Sequence, residues 1–173
     1  MKILKAKEIL SSLTASTADK QQKISVTDVF HLWNHLIQRY HIIYLTNIFE
    51  NFAHDEDLRL ILKLGKKTLD KHISLLEKNM TAYGIALPVR PPKQTQFTVN
   101  IEAFTDRYIF RRVLRGIQSF LPTHTMAFMH STSPSIREMF LTFLIEELKL
   151  YDRFIEYGKL KSYVIIPPMY KTN

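Results

Sequence analysis

Residues 25–52, SVTDVFHLWNHLIQRYHIIYLTNIFENF, have the pattern of one long amphipathic helix. Ser25 can act as its N-cap, and Asp28 follows three residues later, as in a capping box. Apolar residues then recur every three or four positions: Val26, Phe30, Trp33, Ile37, Tyr40, Tyr44 and Ile48. This spacing predicts a helix of roughly 40 Å whose listed face packs into a core.

A second helix is predicted between Asp55 and Gly84. The acidic residues at its start would face the positive end of the helix dipole, and Gly84 would end it. Its apolar stripe also contains a glycine and a histidine: Leu58, Leu62, Gly65, Leu69, His72, Ile73, Leu76, Met80 and Tyr83. A glycine on this face costs about 1 kcal/mol relative to alanine, so we expect Gly65 to allow close helix approach.

Two more helices are predicted after a proline-rich segment. The third begins between Glu102 and Asp106, and Pro122 should kink it. Its stripe is Ile109, Val113, Ile117, Phe120, Leu121 and Phe128. The fourth begins at Ser133-Pro134, an N-cap followed by proline in the first turn, and ends near Gly158. Its stripe is Ile136, Met139, Phe140, Phe143, Leu144, Tyr151 and Phe154.

The connections indicate how the four helices are arranged. Residues 85–97 contain three prolines and predict an extended crossover, whereas the other two links are short. A long connection between the second and third helices is typical of ferritin-like folds. The sequence therefore predicts an all-α ferritin-like four-helix bundle, ordered up-down-down-up or up-down-up-down, as a single domain over residues 25–170. Residues 1–24 are expected to form a short N-terminal helical arm and a polar linker, and residues 165–170 an extended apolar tail.

Composition narrows the classes of function. The chain of 173 residues has a 46% hydrophobic share and no cysteine, which excludes disulfides, thiolate nucleophiles and the usual structural zinc sites. The N-terminus lacks the apolar core of a secretory signal, and no stretch approaches the roughly 18 apolar residues of a membrane span. We therefore expect a cytoplasmic protein with no membrane partner. A net charge of +8 favours anionic partners only in a general way.

The bundle interior offers few metal ligands. A di-iron bundle needs a Glu-x-x-His motif on two helices and a further Glu on the other two. Here Leu69 stands three residues before His72, and Leu150 stands three residues after Glu147. His72 and Glu147 are the weak metal candidates, and no bound metal or other cofactor is expected. The favoured interpretation is an internal polar cluster in which they hydrogen-bond each other or the hydroxyls of Tyr40 and Tyr44.

Other candidate sites lie off the predicted apolar faces. His31 and His35 have chelating i, i+4 spacing, but we expect a partly exposed surface pair without a third ligand. Arg107, Arg111, Arg112 and Arg115 form a basic stripe on the third helix. Nucleic-acid or anion binding is one interpretation, and a solvated face with ion pairs is favoured over it. No nucleophile elbow or phosphate-binding glycine loop occurs, so no catalytic residues are assigned and enzymatic function is not expected.

Several short motifs resemble domain-of-unknown-function family 3231 of endospore-forming bacteria. They lie at residues 24–33 (ISVTDVFHLW), 71–73 (KHI), 83–88 (YGIALP), 135–140 (SIREMF), 150–151 (LY) and 166–170 (IPPMY), and Trp33, Pro88 and the pair Pro167-Pro168 are the most distinctive. The resemblance implies a ferritin-like bundle, since members of that family have this fold. Some are described as spore coat proteins similar to coat protein F, and the family has no agreed activity. Many members look like two such units in tandem, which suggests that two copies of this chain associate through a helix face.

The sequence thus favours a non-enzymatic bundle with a structural or interaction role, as a spore-coat-like component. Its expected partners are other proteins, including coat components and a second copy in a homodimer. A metal- or small-ligand-binding bundle that uses His72 and Glu147 is one alternative. Nucleic-acid or anion binding through the arginines between Arg107 and Arg115 is the other, although no nucleic acid is expected as a partner.

Overall fold

The structure, a computed structural model, describes residues 14–91 and 104–168, together with Lys7, Leu10 and Ser11. Within these residues the regular structure is entirely helical, which confirms the predicted all-α class. The helices are α1 (Thr17–Lys23), α2 (Val26–Phe52), α3 (Glu56–Ala82), α4 (Asp106–His130) and α5 (Pro134–Leu160). None of the described helices is long and apolar enough to span a membrane.

Two capping boxes fix the start of the bundle. The Ser25 hydroxyl accepts a hydrogen bond from the Asp28 amide at 3.0 Å, as the sequence predicted. Ser16 and Asp19 form the same motif in front of α1. The polar segment over residues 15–23 was expected to be a linker, and this expectation was wrong because the second capping box starts a helix there. The division of the chain at residue 24 stays a prediction.

Contacts at the two ends of the bundle set the direction of each helix. At one end the Asp55 amide, between α2 and α3, donates to the Asp106 carboxylate at the start of α4 at 3.0 Å. At the other end His31 near the start of α2 lies 3.2 Å from His130 at the end of α4. Helix α4 is therefore antiparallel to α2. Since short turns join α2 to α3 and α4 to α5, the order is up-down-down-up.

The buried face of α2 differs from the predicted one. Val26, Phe30 and Trp33 are 87%, 59% and 45% exposed, so these members of the predicted core stripe face outward. The buried positions toward its N-terminal half are Asp28, His31, Leu32, His35, Leu36, Arg39 and Tyr40. Both faces have helical spacing, and the more apolar one was the natural choice from sequence. The polar side chains of the other face are buried because they find partners inside the bundle.

One proline and three glycines bear on the predicted helices. Helix α4 is continuous through Pro122, and the kink expected there stays a prediction. A Cβ added at Gly65 would meet Leu150 at 3.9 Å, an ordinary contact, so close approach does not require this glycine. Close helix approach does require glycine at position 158, where an added Cβ would lie 2.1 Å from the Phe110 ring. Gly84 ends α3 as predicted, with a φ of 65° that favours glycine.

The hydrophobic core has two parts. One cluster lies toward the α1 end, and its members include Leu32, Leu36, Tyr40, Ile73, Leu76, Met80, Met139, Phe140 and Phe143. The other lies toward the opposite end, around Phe49, Leu58, Leu62, Ile109, Phe110, Ile117, Phe154 and Tyr157. Over residues 161–168 the chain is not helical, and Ile165 and Ile166 are 76% and 71% exposed. The rest of the predicted crossover (residues 92–97) and of the tail (169–170) lies outside the described residues.

Candidate functional site

An ionisable layer separates the two core clusters. Each of the four long helices contributes one side chain to it: Arg39 from α2, His72 from α3, His124 from α4 and Glu147 from α5. None of the four is more than 3% exposed. A position at which all four helices meet is where bundles of this kind can place metal ligands. This layer is therefore the candidate functional site.

Arg39 occupies the centre of the layer. One of its terminal nitrogens, Nη2, donates to Glu147 Oε2 at 2.7 Å and to His124 Nε2 at 2.8 Å. Its guanidinium carbon lies 3.9 Å from the centre of the Phe120 ring, so it also stacks on an aromatic face. Burial raises the pKa of Glu147, but the Arg39 charge and the hydrogen bonds to the carboxylate together outweigh burial and hold this pKa below its ordinary value. The pair is therefore ionised in the folded protein.

The Arg39 charge also fixes the tautomers of two histidines. A guanidinium can only donate, so His124 Nε2 must accept and its proton must be on Nδ1. His124 Nδ1 lies 3.2 Å from His35 Nε2, which accepts in turn. His35 Nδ1 then donates to the His31 carbonyl at 2.7 Å. Burial lowers the pKa of His124, and it lowers that of His35 to about 3, so both rings are neutral in this chain of hydrogen bonds.

His72 has a separate environment at the edge of the layer. Its Nε2 donates to Glu146 at 2.8 Å, and Glu146 also pairs with Lys71. The ring stacks on Phe143 at 3.9 Å between centres, and Nδ1 is buried without a hydrogen-bond partner among the described residues. Burial lowers the pKa of His72 to about 4. His72 is thus a neutral ring packed on an aromatic side chain.

The predicted polar cluster is only partly assembled. His72 and Glu147 both lie in the layer, but they bond to Glu146 and Arg39 instead of each other. The Tyr40 hydroxyl points away and donates to Glu77 at 2.6 Å. Tyr44 lines a small pocket between α2 and α3, outside the layer. The expected pairing of His72 with Glu147 was wrong for two reasons. His72 donates to Glu146, the neighbour of Glu147, and Glu147 accepts from the buried Arg39.

His31 and His35 were expected at the surface, and this was also wrong. They are 6% and 0% exposed, because the buried face of α2 is turned relative to the predicted one. Sequence analysis missed Arg39 and His124 as well. His124 carried a usable signal, since it lies four residues after Phe120 and four before Phe128 on the apolar stripe of α4. Arg39 lies on the same helical face as Leu32, His35 and Leu36, but an arginine is ordinarily expected to be exposed to solvent.

The residues present do not fit a di-metal centre. Leu69 and Leu150 stand at the two positions where the chelating motifs need a carboxylate and an imidazole. Among the described residues no group of three or more histidine, aspartate or glutamate side chains could hold a metal ion. Glu147 and His124 both direct their atoms at the Arg39 guanidinium. The cation at the centre of this bundle is a side chain of the protein.

The arginines of α4 lie outside the layer. Arg107, Arg111, Arg112 and Arg115 are all exposed. Arg107 donates to the Ser162 carbonyl at 3.4 Å and lies 5.9 Å above the Tyr163 ring, which joins α4 to the segment after α5. The favoured solvated face agrees with this exposure, and nucleic-acid or anion binding by the whole stripe stays an untested alternative.

A family model for "Protein of unknown function (DUF3231)" matches residues 12–173. The chain belongs to this family. The match covers nearly the whole sequence and agrees with the resemblance seen in its short motifs. Membership in DUF3231 assigns no activity, because the family itself is one of unknown function. No curated protein matches the chain.

Three solved structures are similar to this chain in fold, and one of them contains a ferritin-like domain. A "putative spore coat protein" from Bacillus halodurans C-125 superposes with a TM-score of 0.82 at 22% identity, covering 88% of this chain and 99% of that one. A two-domain protein from Anabaena variabilis ATCC 29413, with DJ-1/ThiJ/PfpI-like and ferritin-like domains, gives 0.65 at 16% identity over 87% of this chain and 42% of its own. The conserved hypothetical protein Rv2844 from Mycobacterium tuberculosis gives 0.65 at 15% identity, covering 77% and 98%. At these identities the likeness shows the fold, and it confirms the ferritin-like prediction.

Proposed function

We propose that this protein is a non-enzymatic assembly component that works by protein–protein association, as a spore-coat-like structural protein. The observation that carries the proposal is the outward-facing apolar stripe of α2. The likeness to a "putative spore coat protein" supports the biological setting. A coat component must bind neighbours through its surface, so the exposed side chains matter more than the interior.

The stripe consists of Val26, Phe30 and Trp33, which share one face of α2 and are 87%, 59% and 45% exposed. Large aromatic side chains are enriched at protein interfaces because they bury much apolar area with little loss of conformational freedom. Their regular helical spacing is the pattern expected of a helix that packs on another helix. Since the bundle already packs the opposite face of α2, we infer that the stripe packs on another chain, with a second copy as the simplest partner.

The ionisable layer supports a structural role for the interior. Arg39 and Glu147 neutralise each other at 2.7 Å, and two neutral histidines continue the hydrogen bonds to the His31 backbone. The hydrogen bonds of this buried network are directional, which favours one packing arrangement of the four helices. One of its donors, Arg39 Nε, is buried without a hydrogen-bond partner among the described residues. It presents no group poised to exchange a proton near neutral pH, as a general acid or base would need.

Light scattering after size exclusion tests the association directly. We expect the wild-type protein to form dimers or larger assemblies whose mass increases with concentration. Replacing Phe30→Glu together with Trp33→Glu should give a monomer with unchanged helical content, because glutamate forms helix well and both sites are exposed. Leu60→Glu on α3 is the matched control, since Leu60 is 58% exposed and should not affect assembly.

The single tryptophan gives a second measurement. Trp33 is partly exposed in one copy, so its fluorescence should shift to shorter wavelength as the wild-type protein is concentrated and the indole is covered. A wild-type protein that stays monomeric at all concentrations would contradict the proposal. So would a Phe30→Glu, Trp33→Glu variant that keeps the mass of the wild type.

The spore-coat setting needs its own test. We expect expression to rise during sporulation in the source organism and the protein to be recovered in the extracted coat fraction. The control is a vegetative culture of the same strain, in which the level should be low. Expression confined to vegetative growth would remove the coat role while leaving association through α2 open to the scattering experiment.

A further inference from the structure

A cavity of about 580 Å³ lies between α2 and α4, on the side of the ionisable layer that faces the second core cluster. This volume is within the range of about 300–1,000 Å³ found for small-molecule sites. The walls are mostly apolar, with Phe49, Leu62, Leu69, Ile117, Leu150 and Phe154 among them. Arg39 and Glu147, already paired with each other, also border it. The cavity thus has an apolar interior whose ionic groups are already paired.

The part of the wall that reaches the surface is basic. Arg112 and Arg115 line the cavity from α4, and both are exposed. Glu147, paired with Arg39, is the sole acidic side chain among the lining residues of the described chain. Arg112 and Arg115 form no ion pair with any residue that the structure describes. Two such arginines beside an apolar space complement a molecule that has an apolar chain and an anionic head.

Two glycines keep the space open. Gly65 on α3 and Gly116 on α4 both lie in the middle of a helix and both line the cavity. A Cβ added at Gly116 would meet no heavy atom within 4 Å, and one at Gly65 would make only an ordinary contact. Each glycine costs about 1 kcal/mol relative to alanine in a helix, and packing does not require either. Larger side chains at these positions would narrow the cavity.

We propose that this cavity binds a single-chain amphiphile, with its apolar chain among the wall residues and its carboxylate or phosphate head at Arg112 and Arg115. The site is separate from the α2 stripe, and it borders the ionisable layer at Arg39 and Glu147. A bound amphiphile would fill the gap in packing between α2 and α4 and so stabilise the folded protein.

Isothermal titration with octanoate, decanoate, dodecanoate and decyl phosphate, below their micelle concentrations, tests the proposal. We expect one saturable site per chain whose affinity rises about fourfold per added methylene until the cavity is full. The tighter of decanoate and decyl phosphate identifies the head group. Decyltrimethylammonium, with the opposite charge, should bind at least about tenfold more weakly. Absence of saturable binding by every anionic probe would overturn the proposal.

Three variants locate the site. Gly116→Leu should weaken binding at least about tenfold by occupying the cavity, and it should not unfold the protein because its side chain enters open space. Arg112→Gln combined with Arg115→Gln should remove the preference for anionic over cationic heads. Arg111→Gln is the matched control, since Arg111 is an exposed arginine of α4 that does not line the cavity. Undiminished binding by a folded Gly116→Leu protein would place the ligand elsewhere and refute the assignment.

Discussion

Replacing Arg39 with methionine should destabilise the protein strongly. The side chain is 1% exposed and pairs with Glu147 at 2.7 Å, so its loss leaves a buried carboxylate without its cation. Breaking a buried ion pair from one side costs about 3–5 kcal/mol, and methionine keeps most of the apolar volume of the arginine stem. For a protein of this size the melting temperature should fall by roughly 6–20 °C. Urea unfolding followed by circular dichroism measures the change directly.

A double-mutant cycle separates the ion pair from packing. Glu147→Leu alone should also be costly, because it leaves Arg39 buried and unpaired. The combined variant Arg39→Met, Glu147→Leu should lose no more than either single variant, since neither charge is then present. A loss below about 1 kcal/mol for Arg39→Met would show that the pair is not essential to the layer. Additive losses in the double variant would show that the two side chains act independently.

Two further predictions concern the interior. Lowering the pH from 7 to 5 should reduce the free energy of unfolding by about 2 kcal/mol through His35. Its pKa of about 3 keeps the ring neutral in the folded protein, whereas the same histidine in the unfolded chain takes up a proton near pH 6.5. His72, with a pKa of about 4, should reduce the free energy of unfolding by a similar amount. Urea curves that coincide at the two values would contradict this, and the interval from pH 7 to 9 is the control. Gly158→Ala should lower the free energy of unfolding by about 1–3 kcal/mol, because the added Cβ would clash with Phe110. Gly65→Ala should raise the free energy of unfolding by about 1 kcal/mol, because its Cβ meets Leu150 at an ordinary distance. Thermal unfolding compares the two variants, and equal effects would refute the packing difference.

The fold could be predicted from sequence because its signals are local. The capping box at Ser25, the glycine at position 84 and the proline after Ser133 mark helix ends through backbone chemistry that does not depend on the rest of the protein. The long link before α4 then favours a ferritin-like connection. The helix over residues 17–23 was missed because it buries no side chain and has no apolar stripe.

The site could be predicted only in part. Glu147 and His72 lie on apolar stripes, so their burial followed from periodicity. The burial of Arg39 did not follow from periodicity, because it depends on Glu147 and His124 from two other helices. No pattern within α2 reveals those partners. The same non-local pairing explains why the apolar stripe of α2 faces solvent. The opposite face, with Arg39 and His35, is stabilised inside the bundle by polar contacts that the apolar periodicity of the sequence does not predict.

Elemental analysis gives the most direct evidence on whether Arg39 stands in place of a metal ion. The protein would be produced in medium supplemented with iron, manganese and zinc and purified without chelators. Because the Arg39 guanidinium already engages Glu147 and His124, we expect far less than one metal ion per chain. Roughly two metal ions per chain, the content of a di-iron bundle, would contradict the assignment of Arg39 as the central cation.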